Sequence, residues 1–113
     1  MPLVSVVVPA YNAEDTVEKT IQDILLQSFR DFEIILVDDG SKDNTPAICD
    51  KLATTDSRIN VIHQQNGGLS NARNNGTRVA SGEYVTYIDS SWLWFQEPVR
   101  LPDRFRRRRG RQP

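Results

Sequence analysis

Two acidic residues and one glycine-rich segment have the residue types and spacing to carry chemistry in this 113-residue chain. Asp38 and Asp39 are adjacent and directly follow an apolar run. Neighbouring carboxylates repel, so a site that keeps both ionised normally supplies hydrogen-bond donors or a cation. Alternatively, one aspartate is a solvated turn residue and the other caps the following helix. The pair by itself leaves both interpretations open.

The second feature is the segment 67–76, GGLSNARNNG. It places backbone amides and Ser70 at a predicted helix start and Arg73 one turn further along. A helix N-terminus beside a guanidinium suits a phosphate group, although a lone helical arginine is more often simply solvated. The loop after the first predicted strand contains no glycine, and the chain has no Walker sequence. These absences exclude the usual dinucleotide-binding and P-loop motifs.

The elements that must position these residues alternate along the chain. Continuous apolar runs predict strands at 4–8, where Pro9 would end the strand, and at 32–37, 59–63 and 83–88. Helical periodicity predicts one helix capped by Asn12, a second with Thr45 as its N-cap and Pro46 as its first residue, and a third over 69–80. The fold class is therefore α/β, with four mainly parallel strands alternating with three helices.

Ligands of such sheets bind outside the carboxyl ends of the strands. The polar, acidic and glycine-rich clusters of the first 91 residues follow the predicted strands, at Pro9-Ala10-Tyr11-Asn12, Asp38-Asp39-Gly40-Ser41, Asn66-Gly67-Gly68 and Asp89-Ser90-Ser91. Their placement indicates one ligand site along one edge of the sheet.

Composition excludes several classes of protein and divides the chain. No apolar run approaches the ~20 residues of a membrane-spanning helix, and the first residues lack a signal-peptide pattern. We expect a cytoplasmic or membrane-peripheral location. The single cysteine, Cys49, is expected to be a small buried hydrophobe, and the single histidine, His63, to have a structural role at a strand end.

The net charge of −1 combines two unlike segments. Residues 1–90 carry 7 Lys+Arg against 13 Asp+Glu, whereas residues 91–113 carry 7 against 2. We expect 92–113 to be an irregular, disordered basic tail, because its arginine block has no apolar period. Nucleic-acid binding is not expected of it, and Trp92, Trp94 and Phe95 could support self-association.

The strings SVVVPAYNAEDTVEKTI, FEIILVDDGSKDNT, INVIHQQNGGLSNARNNG and SGEYVTYIDS together closely resemble the nucleotide-binding half of the inverting family-2 glycosyltransferases. The resemblance covers residues 3 to about 90. It implies a Rossmann-like GT-A half-domain, with residues 1–91 as the part that binds a nucleotide-sugar and 92–113 as an atypical tail.

The resemblance also implies the roles of individual residues. Pro9, Tyr11 and Asn12 would wrap the nucleoside, with the backbone near Ala10 close to the base. Asp39 would accept a hydrogen bond from the uracil ring, and Asp38 would be the more structural of the two. The remaining nucleotide-sugar contacts would come from Gly67, Gly68, Arg73 and Asp89.

A departure from the family pattern concerns the metal. The family motif Asp-Ser-Asp-Asp uses its third residue to bind Mg²⁺ or Mn²⁺ on the diphosphate, but this chain has Ser91 there, leaving Asp89 as a weak ligand. A serine hydroxyl cannot replace a carboxylate at a hard-cation site, so we expect impaired metal binding. The catalytic base is expected beyond the chain end, so no catalytic residue is assigned.

The implied function is transfer of a sugar from a nucleotide diphosphate, with UDP-sugar favoured, to a hydroxyl of an acceptor sugar or lipid-linked glycan, with inversion. Polysaccharide biosynthesis is the implied process. We expect this chain to be truncated or frame-shifted near Ser91 and inactive alone. The alternative is a non-catalytic nucleotide-binding or interaction module.

Overall fold

The computed structural model describes residues 2–27 and 30–88, and the backbone of 106 and 107. Strands and helices alternate in the order β1 (Val4–Ala10), α1 (Val17–Leu25), β2 (Phe32–Asp39), α2 (Thr45–Ala53), β3 (Ile59–Gln64), α3 (Leu69–Val79), β4 (Tyr84–Tyr87) and β5 (Arg106–Arg107). The predicted α/β fold, with four parallel strands and three helices, is confirmed. No helix in the described part of the chain is long and apolar enough to cross a membrane.

The strand order of the sheet is β3-β2-β1-β4-β5. Strands β1 to β4 are parallel, whereas β5 pairs with β4 in the antiparallel direction. Within the basic segment, the two residues Arg106–Arg107 pair with Tyr84 and Val85 of β4. Without β5, one side of β4 would leave its backbone groups unpaired, and a two-residue strand satisfies part of that edge. The other tail residues, including Trp92, Trp94 and Phe95, lie outside the described residues.

Both faces of the sheet are buried, as the apolar runs predict. On one face, Val4, Val6 and Val8 of β1 pack with residues of α1 and α2. On the opposite face, Val7 packs with Ile35 of β2 and with residues of α3. Because β1 lies between two parallel neighbours and is buried along its whole length, it forms the centre of the structure.

Pro9 does not end β1, which continues to Ala10. The carbonyls of Leu3 and Val7 accept hydrogen bonds from Tyr84 and Ile88, so alternation along the strand turns the nitrogen of Pro9 towards β4 as well. The register of β1 with β4 ends at Val7, whereas its register with β2 continues to Ala10. The missing N–H of Pro9 therefore ends only the pairing with β4.

The helix starts also differ from prediction. α1 begins only at Val17, and Asn12 does not cap it, because Asn12 has a left-handed backbone with φ of 49° and its side chain bonds to a different loop. α2 begins at Thr45, with Asn44 rather than Thr45 in the cap position. α3 follows the prediction to within one residue.

Close contact with β1 sets the position of α3. A Cβ atom at Gly76 would lie 2.5 Å from Cγ1 of the buried Val7, so only glycine allows α3 this close to the sheet. The connection that follows α3 is held by Glu33, whose Oε2 accepts hydrogen bonds from the Ser5 hydroxyl at 2.6 Å and the Ser81 amide at 2.7 Å. Burial would raise the pKa of Glu33, but the hydrogen bonds from Ser5 and Ser81 lower it below its ordinary value.

Leucine-to-alanine substitutions at a buried and at an exposed position test this description of the core. Leu36→Ala removes a fully buried side chain, and we expect it to lower the free energy of unfolding by about 2–5 kcal/mol. Leu26→Ala changes a side chain that is 80% exposed, and its effect should stay within about 0.5 kcal/mol. Urea denaturation followed by circular dichroism measures both. Equal losses of stability would contradict the placement of Leu36 in the core.

Candidate functional site

The strand order locates the edge at which a ligand would bind. The chain passes from β1 to β2 and β3 on one side, and then places β4 on the other side of β1. The order of the strands therefore reverses at β1, and the carboxyl ends of β1 and β4 mark the place where open α/β sheets bind ligands. The clusters that the sequence placed at this edge, as far as Gly68, are found there.

The loop after β1 is tied to the loop after β2. The amide of Asn12 donates to the Ser41 hydroxyl at 3.0 Å, and Oδ1 of Asn12 accepts from the amide of Lys42 at 2.9 Å. The amide of Ala13 donates to Oγ1 of the buried Thr45 at 2.8 Å. These bonds hold the left-handed turn at Asn12 and leave the ring of Tyr11 47% exposed at the edge.

Asp38 is bonded to the loop that follows its own strand and to His63. It is 3% exposed. Its Oδ1 accepts from the amide of Ser41 at 3.1 Å, and its Oδ2 lies 2.8 Å from Nδ1 of His63. The other ring nitrogen of His63, Nε2, lies 2.7 Å from Oδ1 of Asp50 on α2. His63 thus links the end of β2 to α2, which confirms a structural role at the end of its strand.

Asp39 is 4% exposed and is enclosed by the loop that follows β3. Its Oδ1 accepts from Nε2 of Gln64 at 2.9 Å and from the amide of Gly67 at 2.9 Å. Its Oδ2 accepts from the amide of Gly68 at 3.1 Å and from Nδ2 of Asn66 at 3.4 Å. This buried carboxylate therefore accepts hydrogen bonds from four protein donors. Adjacent aspartates require either such donors or a cation, and the structure supplies donors to Asp39.

The helix-cap interpretation of the aspartate pair is wrong for both residues. The side chain that bonds to the start of α2 is Asp43, whose Oδ1 accepts from the amide of Thr45 at 2.9 Å. Hydrogen bonds from the side chain and amide of Thr45 lower the pKa of Asp43 against the opposing effect of burial. Asp38 and Asp39 instead hold the two loops at the ligand edge.

Arg73 lies on the side of the edge near β4. Its guanidinium carbon is 5.6 Å from the ring centroid of Tyr87, the last residue of β4. The Tyr87 hydroxyl is in turn 2.8 Å from Oγ1 of Thr77, one turn after Arg73 on α3. The helix begins after Gly68 with no side chain capping its first amides. A guanidinium and uncapped amides at one helix start suit an anionic group.

Cys49 is fully buried and is not part of this site. Burial, reinforced by the negative charges of Asp38 and Asp50, raises the pKa of its thiol to about 12. Such a thiol carries almost no thiolate at neutral pH and is not a nucleophile. The expectation of a small buried hydrophobe is confirmed.

Two expected site residues, Asp89 and Ser91, lie outside the described residues. Within 2–27 and 30–88, no group of three or more His, Cys, Asp and Glu side chains could hold a metal ion. Sequence reasoning missed Gln64, which donates to Asp39, and Asn71 and Asn75, which bond to Gln64. The spacing of Asn71 and Asn75, one helical turn apart, is the signal that could have identified them.

Comparison with known proteins agrees with this fold. Residues 5–94 match the model of glycosyl transferase family 2. The glycosyltransferase EpsJ of Bacillus subtilis is 49% identical over 89 residues, which are 79% of this chain and 26% of EpsJ. This chain therefore spans about a quarter of the length of that relative.

Solved structures show the same architecture. The mannosyltransferase PcManGT of Pyrobaculum calidifontis, in complex with GDP-Man and Mn²⁺, superposes with a TM-score of 0.73 at 30% identity, covering 79% of this chain and 27% of PcManGT. TarS 1–349 of S. aureus, in complex with UDP-GlcNAc, gives 0.70 at 31% identity, covering 82% and 29%. The sheet and its three helices have the architecture of a GT-A glycosyltransferase. The chain belongs to glycosyl transferase family 2.

The His63 bridge predicts a pH dependence. The hydrogen bond to Asp38, and to a smaller extent the one to Asp50, raises the pKa of His63 above the ordinary value of 6.5. A raised folded-state pKa stabilises the fold below the unfolded-state pKa, and this contribution is lost as the pH rises through the folded-state value. Because His63 is the only histidine of the chain, an NMR titration of its ring protons should give one midpoint, above pH 6.5.

Asp50→Asn distinguishes the contribution of Asp50 to the pKa of His63 from that of Asp38. It removes one carboxylate charge and should move the midpoint down towards 6.5, while Asp31→Asn, at the opposite end of β2, should leave it unchanged. A wild-type midpoint at or below 6.5 would contradict the paired geometry.

Proposed function

We propose that this chain is the part of an inverting glycosyltransferase that binds the nucleotide-diphospho-sugar donor. The observation that carries the proposal is the shared edge on which the enclosed Asp39 carboxylate and the Arg73 guanidinium both lie. A nucleotide donor has ring N–H groups for a carboxylate and phosphates for a guanidinium. The ligands named for PcManGT and TarS, GDP-Man and UDP-GlcNAc, support this class of ligand.

In this proposal the loop from Pro9 to Asn12 covers the nucleoside, with the backbone at Ala10 and Tyr11 against the base. Asp39 accepts a hydrogen bond from the base, and Asp38 holds the turn behind it. Gly67 and Gly68 let the backbone approach the nucleotide closely, and Arg73 approaches the diphosphate. Asp89 is assigned to the ribose.

The reaction of the longer family members would be a single displacement. An acceptor hydroxyl attacks the anomeric carbon, the bond to the diphosphate oxygen breaks, and the configuration at that carbon inverts. The developing negative charge on the leaving diphosphate needs positive partners, and Arg73 is the guanidinium that this edge offers. The acceptor, a sugar or a lipid-linked glycan, and the base that deprotonates it are not assigned to residues of this chain.

The residues present do not fit a divalent metal of the Mg²⁺ or Mn²⁺ type. Ser91 is neutral where the family motif has a carboxylate, and the described residues contain no cluster of acidic or histidine ligands. We therefore assign no step to a metal. This departure favours the second candidate function, a nucleotide-binding module without catalysis.

Asp39→Asn tests nucleotide binding. The amide keeps the size of the side chain but loses one acceptor oxygen and the charge, so affinity for UDP should fall by roughly tenfold or more. Isothermal calorimetry with the full chain measures the affinity, and thermal melting shows whether each variant is folded. Asp31→Asn, at the other end of β2, is the matched control and should bind UDP like the wild type. An equal affinity for both variants would contradict the assignment.

The metal departure has its own test. Ser91→Asp restores the carboxylate of the family motif and should make UDP binding several-fold tighter in Mn²⁺ than in EDTA, since carboxylates are the preferred ligands of such cations. Ser90→Asp adds the same charge one position earlier and should show no metal-dependent gain.

In transfer assays with UDP-sugars, the wild-type chain should show little turnover. Turnover equal to that of an intact relative would exclude the non-catalytic module.

A further inference from the structure

Three side-chain amides form a connected network beneath Asp39. Nε2 of Gln64 donates to Oδ1 of Asp39 at 2.9 Å and lies 3.0 Å from Oδ1 of Asn71. Nδ2 of Asn75 donates to Oε1 of Gln64 at 2.6 Å and lies 3.1 Å from Oδ1 of Asn71. The network thus runs from α3 through the end of β3 to the carboxylate at the end of β2.

The Asp39 carboxylate, at one end of this network, determines which group donates and which accepts in each bond. An ionised carboxylate only accepts hydrogen bonds, so Gln64 must turn its NH₂ group towards Asp39. Its oxygen then faces α3 and requires a donor, which Asn75 supplies. The oxygen of Asn71 accepts from both other amides and completes the arrangement. Loss of the Asn75 donor would leave the Gln64 oxygen without a partner and free Gln64 to rotate.

Packing of α3 does not depend on these amides. The helix is already fixed on the sheet through Ala72 and through Gly76 against Val7. Asn71 is exposed and Asn75 is half-buried, both on the side of the helix that reaches the ligand edge. The network therefore does more for the orientation of Asp39 than for the fold.

The two oxygens of Asp39 differ in how firmly they are held. Oδ1 has two bonds of 2.9 Å, from Gln64 and Gly67, whereas Oδ2 has a bond of 3.1 Å from Gly68 and a long one of 3.4 Å from the exposed Asn66. A ligand N–H can replace the long bond from Asn66 with little loss. Oδ2 is consequently the oxygen that a ligand would reach, and the network on Oδ1 sets its direction.

We propose that Asn75 and Gln64 are positioning residues that orient Asp39 so that Oδ2 accepts a ring N–H of the nucleobase, and that they thereby set the preference for uracil over cytosine. The inference rests on the proposed nucleotide site. Uracil carries an N–H at ring position 3, whereas cytosine carries an acceptor there, which a carboxylate repels. A carboxylate held in one orientation discriminates between them, and one that can rotate discriminates less.

Asn75→Asp removes the donor to Gln64 without changing the size of the side chain, and Asn74→Asp makes the same change at an exposed neighbouring position that contributes no bond to the network. Calorimetry with UDP and CDP on the full chain gives both affinities for each variant. For Asn75→Asp we expect the UDP affinity to fall roughly tenfold and the CDP affinity to change less than about twofold, so that the preference for UDP is largely lost. Asn74→Asp should keep the wild-type preference.

The outcomes separate the two proposals. If the wild type binds neither nucleotide, the proposed function fails. If the wild type prefers UDP and Asn75→Asp keeps that preference, or loses both affinities equally, the positioning role is overturned. Should Asn75→Asp fail to fold in a thermal melt, Asn75→Ala against Asn74→Ala repeats the comparison without added charge, with the same expected loss of preference.

Discussion

The burial of β1 on both faces, between two parallel neighbours, is the constraint on which the rest of the structure depends. Val4, Val6 and Val8 hold α1 and α2, while Val7 meets Gly76 of α3 on the opposite face. The same strand is the point at which the chain order reverses, so its carboxyl end opens the crevice for a ligand. Core packing and the location of the site therefore have one origin.

The neighbouring aspartates show how the fold holds two adjacent carboxyl groups with separate sets of partners. Successive residues of a strand point to opposite faces, so Asp38 turns towards His63 while Asp39 turns towards Gly67 and Gly68. One carboxylate then orders the loop after its own strand and connects to α2. The other orders the loop after β3, and it is the member of the pair that we propose to contact the nucleotide.

Local patterns predicted the α/β class, the parallel sheet and the clusters at its edge, because apolar runs and turn residues act over a few positions. They failed where a distant partner decides the outcome. Asn12 resembles a helix cap, but Lys42 and Ser41 recruit it into a turn. Pro9 resembles a strand end, but β2 continues to pair beyond it. The pairing of Arg106–Arg107 with β4 has no local signal at all, since a block of like charge does not indicate a strand.

By itself, the amino-acid sequence determined the alternation of strands and helices, the family, and the set of polar residues at one edge. Those properties depend on periodicity and on motif spacing, which a single sequence displays. Tertiary structure alone decided which donors enclose Asp39, which two residues pair with His63, and how Gln64 connects to Asn71 and Asn75. Apart from the bond between Asn71 and Asn75 within α3, these contacts join different elements or loops, so their geometry exists only once the sheet and helices have packed.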